Sequence, residues 1–225
     1  MTRTNCPIDR ESDFANQLRR RGVLIVVSGP SGSGKNRVIS EVMRIRDDLR
    51  YSISATTRPM RPGEQDGVNY YFVSRDRFED MIRQGELLEY AEVYGNLYGT
   101  PRKPIEEILA AGQDVILDVD VLGARQIRER CSDAVLVFLL PPSIRELERR
   151  IRGRGTDDEA TIQLRMNSAL GEISALREYT YVVVNDELDE AVRCLAAIID
   201  AERCRVSRIT FDAKNGSSFS SGSDL

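Results

Sequence analysis

Gly29 to Lys35 reads GPSGSGK, and it sits between a short β-branched run, Val23 to Ser28 (VLIVVS), and a helical stretch from Lys35 to about Asp47. This order suits anion chemistry. Gly29, Gly32 and Gly34 let the main chain turn tightly, with Pro30, Ser31 and Ser33 between them, so that successive N–H groups face inward. The helix that follows presents a positive dipole end, and Lys35 adds a full charge that reaches terminal phosphates. The run is the first part of G-x-x-x-x-G-K-[ST] in its strand–loop–helix context. It departs at the last position, where Asn36 replaces the hydroxyl that would meet Mg²⁺, and Arg37 follows. An amide oxygen also ligates Mg²⁺, and a guanidinium there either pairs with a phosphate or crowds it. The departure bears on phosphoryl-transfer rate more than on binding, because the loop's backbone dipoles do not depend on residue 36.

Two further groups of arginines matter. Ser54 to Gly67 (SATTRPMRPGEQDG) carries Arg58 and Arg61 in a loop stiffened by Pro59 and Pro62. Guanidinium groups grip phosphate bidentately, and a stiff loop loses less entropy on binding. Tyr70 and Tyr98 offer hydroxyl donors. Read alone, such a segment is also an ordinary solvated turn. Residues 145 to 165 carry Arg145, Arg149, Arg150, Arg152, Arg154 and Arg165, which by themselves read as a basic solvated helix face. Asp118 and Asp120 end an apolar run and suit either a helix N-cap or the support of a metal through water.

Composition narrows the rest. The chain has 225 residues and no histidine, so no His-based triad, base or metal ligand is available. Its four cysteines, Cys6, Cys131, Cys194 and Cys204, have no C-x-x-C spacing, which argues against a zinc site or disulfide framework. With 32 basic and 36 acidic residues, net charge is −4, which gives no general attraction to nucleic acid or anionic membrane. No apolar run approaches the ~20 residues of a membrane span, and the N-terminus lacks a signal-peptide core. The expectation is a soluble cytoplasmic protein.

The positioning elements alternate. Apolar strands are expected at Val23–Ser28, Asp114–Asp120 (DVILDVD), Ala134–Leu140 (AVLVFLL) and Tyr181–Asn185 (YVVVN), each bounded by turn residues. Near-continuous apolar strands predict an α/β fold with a parallel sheet covered by helices on both faces. Ser143 with Glu146, and Thr156 with Glu159, fit capping boxes; Pro104 suits a first helical position; and a last helix is expected over about Leu188–Arg205. Residues 54–101, with short extended runs at Tyr70–Val73 and Leu87–Tyr94, read as a small α+β insert over the carboxyl edge of the sheet. Residues 1–21 read as an N-terminal tail or short helix before the fold. The segment from 206 to 225, whose Asp212–Leu225 stretch is rich in Ser and Gly, reads as a disordered C-terminal tail.

The runs YSISATTRPMRPGEQDGVNYYFVS, GELLEYAEVYGNLYGTP, DVILDVDVLGARQI, LPPSIRELERRIRGRGTD and VVVND together resemble the guanylate kinase family in order and spacing, over about residues 22–200. The resemblance implies a P-loop NTPase core over 22–205 with a GMP-binding insert and an Arg-rich lid at about 152–166. It implies transfer of a phosphoryl group from ATP to GMP, with dGMP a second acceptor and Mg²⁺ accompanying ATP. Arg58, Arg61, Tyr70 and Tyr98 would hold the GMP phosphate; Ser54, Glu89 and Thr100 would contact guanine, with Asp120 close by. Lys35, Arg150, Arg154 and Arg165 would stabilise the transferring phosphoryl group, Asn185 would face adenine, and Asn36 and Asp118 (through water) would support the metal. A carboxylate at Glu89 accepts from both guanine N1–H and the N2 amine, a donor pair adenine lacks. An acceptor phosphate already ionised near neutrality needs no general base, which agrees with the absence of histidine. A catalytically weak or inactive binding module is the alternative, favoured only by Asn36 and Arg37. A P-loop kinase for another acceptor sits poorly with Ser54, Glu89 and Thr100 together. These readings are compatible with a homo-oligomer.

Overall fold

Leu24–Ser28 are five consecutive buried residues, as expected of a strand covered on both faces. Pleating splits them: Ile25 and Val27 join one core, Leu24 and Val26 the other. The structure, a computed structural model, describes residues 18–153 and 158–211. Numbered along the chain, its strands are β1 (Leu18–Arg20), β2 (Leu24–Ser28), β3 (Leu49–Tyr51), β4 (Ala55–Thr56), β5 (Tyr71–Phe72), β6 (Leu87–Val93), β7 (Asn96–Pro101), β8 (Asp114–Asp118), β9 (Val135–Leu140), β10 (Tyr181–Val184) and β11 (Ile209–Phe211). Its helices are α1 (Lys35–Ile45), α2 (Arg75–Arg83), α3 (Arg102–Ala110), α4 (Val121–Arg130), α5 (Ile144–Arg152), α6 (Glu159–Ser174) and α7 (Leu188–Arg203).

Five strands form the expected parallel sheet in the order β10-β9-β2-β8-β3. On one face Val38, Ile39 and Val42 of α1 and Ala191, Leu195 and Ile199 of α7 pack against Ile25 and Val27. On the other, Ile105 and Leu109 of α3 and Ala124 and Ile127 of α4 pack against Leu24 and Val26. Each of the Val, Leu and Ile side chains contributes about 1.5–3 kcal/mol by leaving water, and the alanines less. The chain runs from β2 to one side of the sheet and from β8 to β9 on the other, so a crevice opens beyond the carboxyl end of β2, where such folds bind ligands.

The insert is a second sheet in the order β5-β4-β7-β6. Its inner face carries Ala55, Leu87 and Leu97, closed by Phe78 and Met81 of α2. Among the described residues no helix is long and apolar enough to cross a membrane.

Several expectations need correction. The sheet has a fifth strand, β3, at its edge; of its three residues only Leu49 is buried, so no apolar run announces it. Helix α3 begins at Arg102 and places Pro104 third rather than first, still within the turn whose N–H groups need no partner. Ser143 does cap α5, accepting from Glu146 N at 3.1 Å. Helix α6, however, is capped by Asp158, which accepts from Thr161 N at 2.8 Å; Thr156 lies outside the described residues. The expected tails also shorten. Residues 206–208 form a 3-10 turn and β11 pairs antiparallel with β1, so residues 18–20 and 206–211 belong to the fold. Their anchors are charged: Asp114, fully buried, accepts from Arg20 at 2.6 Å and from Val23 N at 2.8 Å, and also pairs with Arg203. Arg208 is buried against Asp133 and Glu202.

Candidate active site

The loop after β2 is closed by the sheet beneath it. Gly29 has φ +144°, and a Cβ there would lie 2.2 Å from Leu139 O, so no other residue fits. Gly34 has φ +91° and serves as the left-handed N-cap of α1 with no side-chain cap, so first-turn N–H groups remain for a ligand. Lys35 Nζ donates to Gly29 O at 2.6 Å and stands 4.0 Å from Asp118 Oδ1. The loop encloses a cavity of about 610 Å³ lined by Gly29, Pro30, Ser31, Gly32, Gly34, Lys35, Asn36 and Arg37, and across from them by Asp118, Asp120 and Glu172. Asn36 and Arg37 are exposed at its mouth, while the Ser33 side chain is turned into the protein.

Asp118 shows the strain of this setting. Burial pushes its carboxyl up to about 6, with Lys35 opposing and Asp120 adding to the rise. Asp120 does act as a helix cap: its Oδ1 accepts from Gly123 N at 2.7 Å and starts α4. It therefore serves the fold while also lining the cavity.

The insert presents a second cluster. Glu89 of β6 stands opposite Thr100 of β7 in register, and Ala91 opposite Tyr98, so strand alternation puts Glu89, Thr100 and Tyr98 on one face. Glu89 is buried, and Thr100 Oγ1 donates to its Oε1 at 2.5 Å. A Cβ on Gly123 would lie 3.1 Å from Glu89 Oε2 and 3.4 Å from Asp120 Oδ1, which places both carboxylates at the start of α4. Burial, helped by Asp120, raises the Glu89 carboxyl to about 7, with Thr100 opposing. Tyr70 and Tyr98 meet edge to face at 6.0 Å, and Arg58 lies 5.5 Å over the Tyr70 ring. The Arg61 side chain is exposed on the same loop. Ser54 is half-buried, and its carbonyl accepts from Tyr71 N at 2.9 Å. Tyr98 and the Glu89–Thr100 pair thus lie in one small sheet, and the arginine loop and Tyr70 lie on the connection between its strands β4 and β5.

Comparison with known proteins agrees with this geometry. The family profile described as guanylate kinase matches residues 21–202. The chain belongs to the guanylate kinase family. It is 51% identical over 191 residues to a guanylate kinase of Carboxydothermus hydrogenoformans, covering 85% of this chain and 94% of that one. It is 47% identical over 189 residues to a guanylate kinase of Clostridioides difficile, covering 84% and 92%. The crystal structure of guanylate kinase from Anaplasma phagocytophilum superposes with a TM-score of 0.68 at 34% identity, covering 86% of this chain and 92% of that one.

Within this guanylate kinase fold the remaining expected residues take varied places. Arg150 packs behind Gly32 and is held by Glu146 at 2.8 Å and by Asn185 O at 3.1 Å; it does not line the cavity. Arg165 is half-buried on α6, and Arg154 lies outside the described residues, as does the middle of the expected lid. Asn185 is buried, and its Nδ2 donates to Ser33 O at 2.7 Å, so its amide nitrogen braces the loop. Glu172 escaped the sequence reading. It sits on an ordinary-looking helix, and only the packing of α6 brings it to the cavity, where burial raises its carboxyl pKa. Among the described residues no group of three or more His, Cys, Asp or Glu could hold a metal by itself. A metal here would rest on few protein oxygens, with nucleotide phosphates and water completing its shell.

Proposed function

We propose that this protein transfers the γ-phosphoryl group of ATP to the phosphate of GMP, giving ADP and GDP, with dGMP as a second acceptor. The observation that carries this reading is Asp120: it lines the phosphate cavity and, at Gly123, adjoins the buried Glu89–Thr100 pair. A base read by Glu89 would thus have its own phosphate close to the cradle of Gly29–Lys35. ATP phosphates would lie on the first-turn N–H groups of α1 and on Lys35, with Arg37 adding charge at the mouth. Arg58, Arg61, Tyr70 and Tyr98 would hold the GMP phosphate, and Ser54, Glu89, Thr100 and Asp120 would surround guanine. Arg150, Arg154 and Arg165 would stabilise the charge of the transferring group.

The acceptor oxygen attacks the γ phosphorus as the bond to the ADP oxygen breaks, and no proton has to be removed first. Catalysis then consists of in-line placement and charge neutralisation. The hard oxygens of Asn36 and Asp118 fit Mg²⁺, with Asp118 acting through water; the ion would neutralise charge on the β and γ oxygens. Such an enzyme belongs in the cytoplasm and in purine nucleotide metabolism.

A steady-state assay of ADP formation with GMP, dGMP, AMP, CMP and UMP in the presence of Mg²⁺ tests the reading. Turnover with GMP and dGMP alone is expected. Binding of GMP without turnover would leave a binding module in its place.

A further inference from the structure

The arginine loop contains a residue that the reaction has not yet called on. Glu64 accepts from Arg58 Nη2 at 2.7 Å and from Arg58 Nη1 at 3.0 Å, and its Oε2 also accepts from Arg61 N at 2.7 Å. One carboxylate therefore binds the guanidinium of the first arginine and the main chain of the second. Pro59 O takes the other Nη1 proton at 2.8 Å. Glu64 thus uses the end-on fork of Arg58. The side-on fork, Nε–H with the outer Nη2 proton, points to a different side, and a guanidinium can serve two anions in this way. Tyr70 and Phe72 stack at 5.5 and 5.7 Å from the guanidinium carbon, and Tyr98 also interacts with that group. Arg58 would otherwise sample many rotamers, and here it is held on several sides. The Arg58 guanidinium and then Arg61 N–H hold the Glu64 carboxyl below the usual carboxylate range.

We propose that Glu64 is a positioning residue for the acceptor phosphate: it fixes the Arg58 guanidinium beside Tyr70 and Tyr98 and sets the Arg58–Arg61 loop in the shape that phosphate needs. The proposal rests on the reading above that this loop binds the GMP phosphate. The reason is preorganisation. A phosphate meeting an ordered guanidinium does not bear the entropy of ordering it. Glu64 touches no reacting atom in this scheme and acts only through Arg58 and Arg61. The alternative is that Glu64 occupies the phosphate's own place and must leave, in which case removing it would strengthen GMP binding.

The test compares the wild type, Glu64→Gln and Arg58→Ala by calorimetric binding of GMP and of guanosine, with steady-state kinetics alongside. For Glu64→Gln, GMP affinity is expected to fall about tenfold while guanosine affinity and kcat at saturating GMP stay within about twofold. The KM for ATP is expected to hold, and Glu64→Gln should cost less GMP affinity on the Arg58→Ala background than on the wild type, the remainder coming from its bond to Arg61 N–H. Equal losses for GMP and guanosine would overturn the proposal, since Glu64 would then be holding the insert together. Unchanged or tighter GMP binding in Glu64→Gln, with Arg58→Ala weakened, would overturn it and leave the site reading intact. Unchanged GMP binding in Arg58→Ala would remove the site reading, and the proposal with it.

Discussion

Asn185 Nδ2 donates to the carbonyl oxygen of Ser33 at 2.7 Å, joining the end of β10 to the phosphate loop across 152 positions of sequence. Both groups are buried, and the amide lies where a Cβ on Gly34 would come within 2.4 Å of it. The loop's curvature and this brace therefore depend on each other. Asn185→Ala strands a buried carbonyl and is expected to cost about 1–3 kcal/mol. Asn185→Asp sets a carboxylate against that carbonyl and should cost more. In both variants the KM for ATP should rise while GMP binding is kept, as read by kinetics and thermal melting. Equal KM values for ATP would show that the brace does not shape the nucleotide site.

If Glu89 reads guanine as proposed, its burial ties specificity to pH. Its carboxyl titrates at about 7 because burial disfavours the charge. In its proposed role only the ionised form would accept from guanine N1–H and N2–H together, so GMP affinity should rise as pH increases through about 7. Stability moves the other way. In the unfolded chain this group ionises near the ordinary value of 4.5. Between 4.5 and 7 the unfolded state releases a proton that the folded state keeps, and the fold loses on the order of 3 kcal/mol. Glu89→Gln should therefore melt higher than the wild type at pH 8, match it near pH 4, and bind GMP weakly at both. A melting difference independent of pH would contradict the assignment.

The contrast between these two residues explains what a sequence reader can see. The phosphate loop is local: seven adjacent residues, a strand before and a helix after, all legible. Glu89 is legible only through resemblance, because its burial and its partner Thr100 depend on the pairing of β6 with β7. Asn185 could be located at the end of a strand, but its bond to Ser33 arises from the neighbouring places of β10, β9 and β2 in the sheet. The pairing of β1 with β11 was invisible because its anchors are charges. Arg20 and Arg208 look like solvated tail residues until Asp114 and Glu202 are found beneath them.

That charged anchor carries its own prediction. Asp114 is fully buried and joins Arg20, Val23 N and Arg203, linking β1, β8 and α7. Asp114→Ala leaves Arg203, itself buried, without this partner, and losing one member of such a buried pair costs about 3–5 kcal/mol. Denaturant unfolding should report that loss. At temperatures where the variant is folded, GMP and ATP binding should be unaltered, since the site lies at the other end of the strands. A loss of under 1 kcal/mol would show that water or Asp48, which also pairs with Arg203 at 2.6 Å, takes over.

Asn36 and Arg37 are where this chain departs from the usual end of its phosphate loop, and both line the cavity from exposed positions on the first turn of α1. The backbone cradle does not involve their side chains, so its N–H groups stay in place when either residue is replaced. Metal placement would depend on residue 36 in the proposed scheme, because a hydroxyl there is shorter than an amide and would bring its oxygen in at a different angle. The double variant Asn36→Ser, Arg37→Thr is expected to raise kcat several-fold and leave GMP affinity within about twofold. Titrating Mg²⁺ against rate separates the two positions. If Asn36 weakens metal support, Asn36→Ser alone should lower the Mg²⁺ concentration needed for half-maximal rate. If Arg37 stands in for part of the metal's charge, Arg37→Thr alone should raise it. Identical Mg²⁺ curves for all four proteins would show that neither side chain takes part in holding the ion.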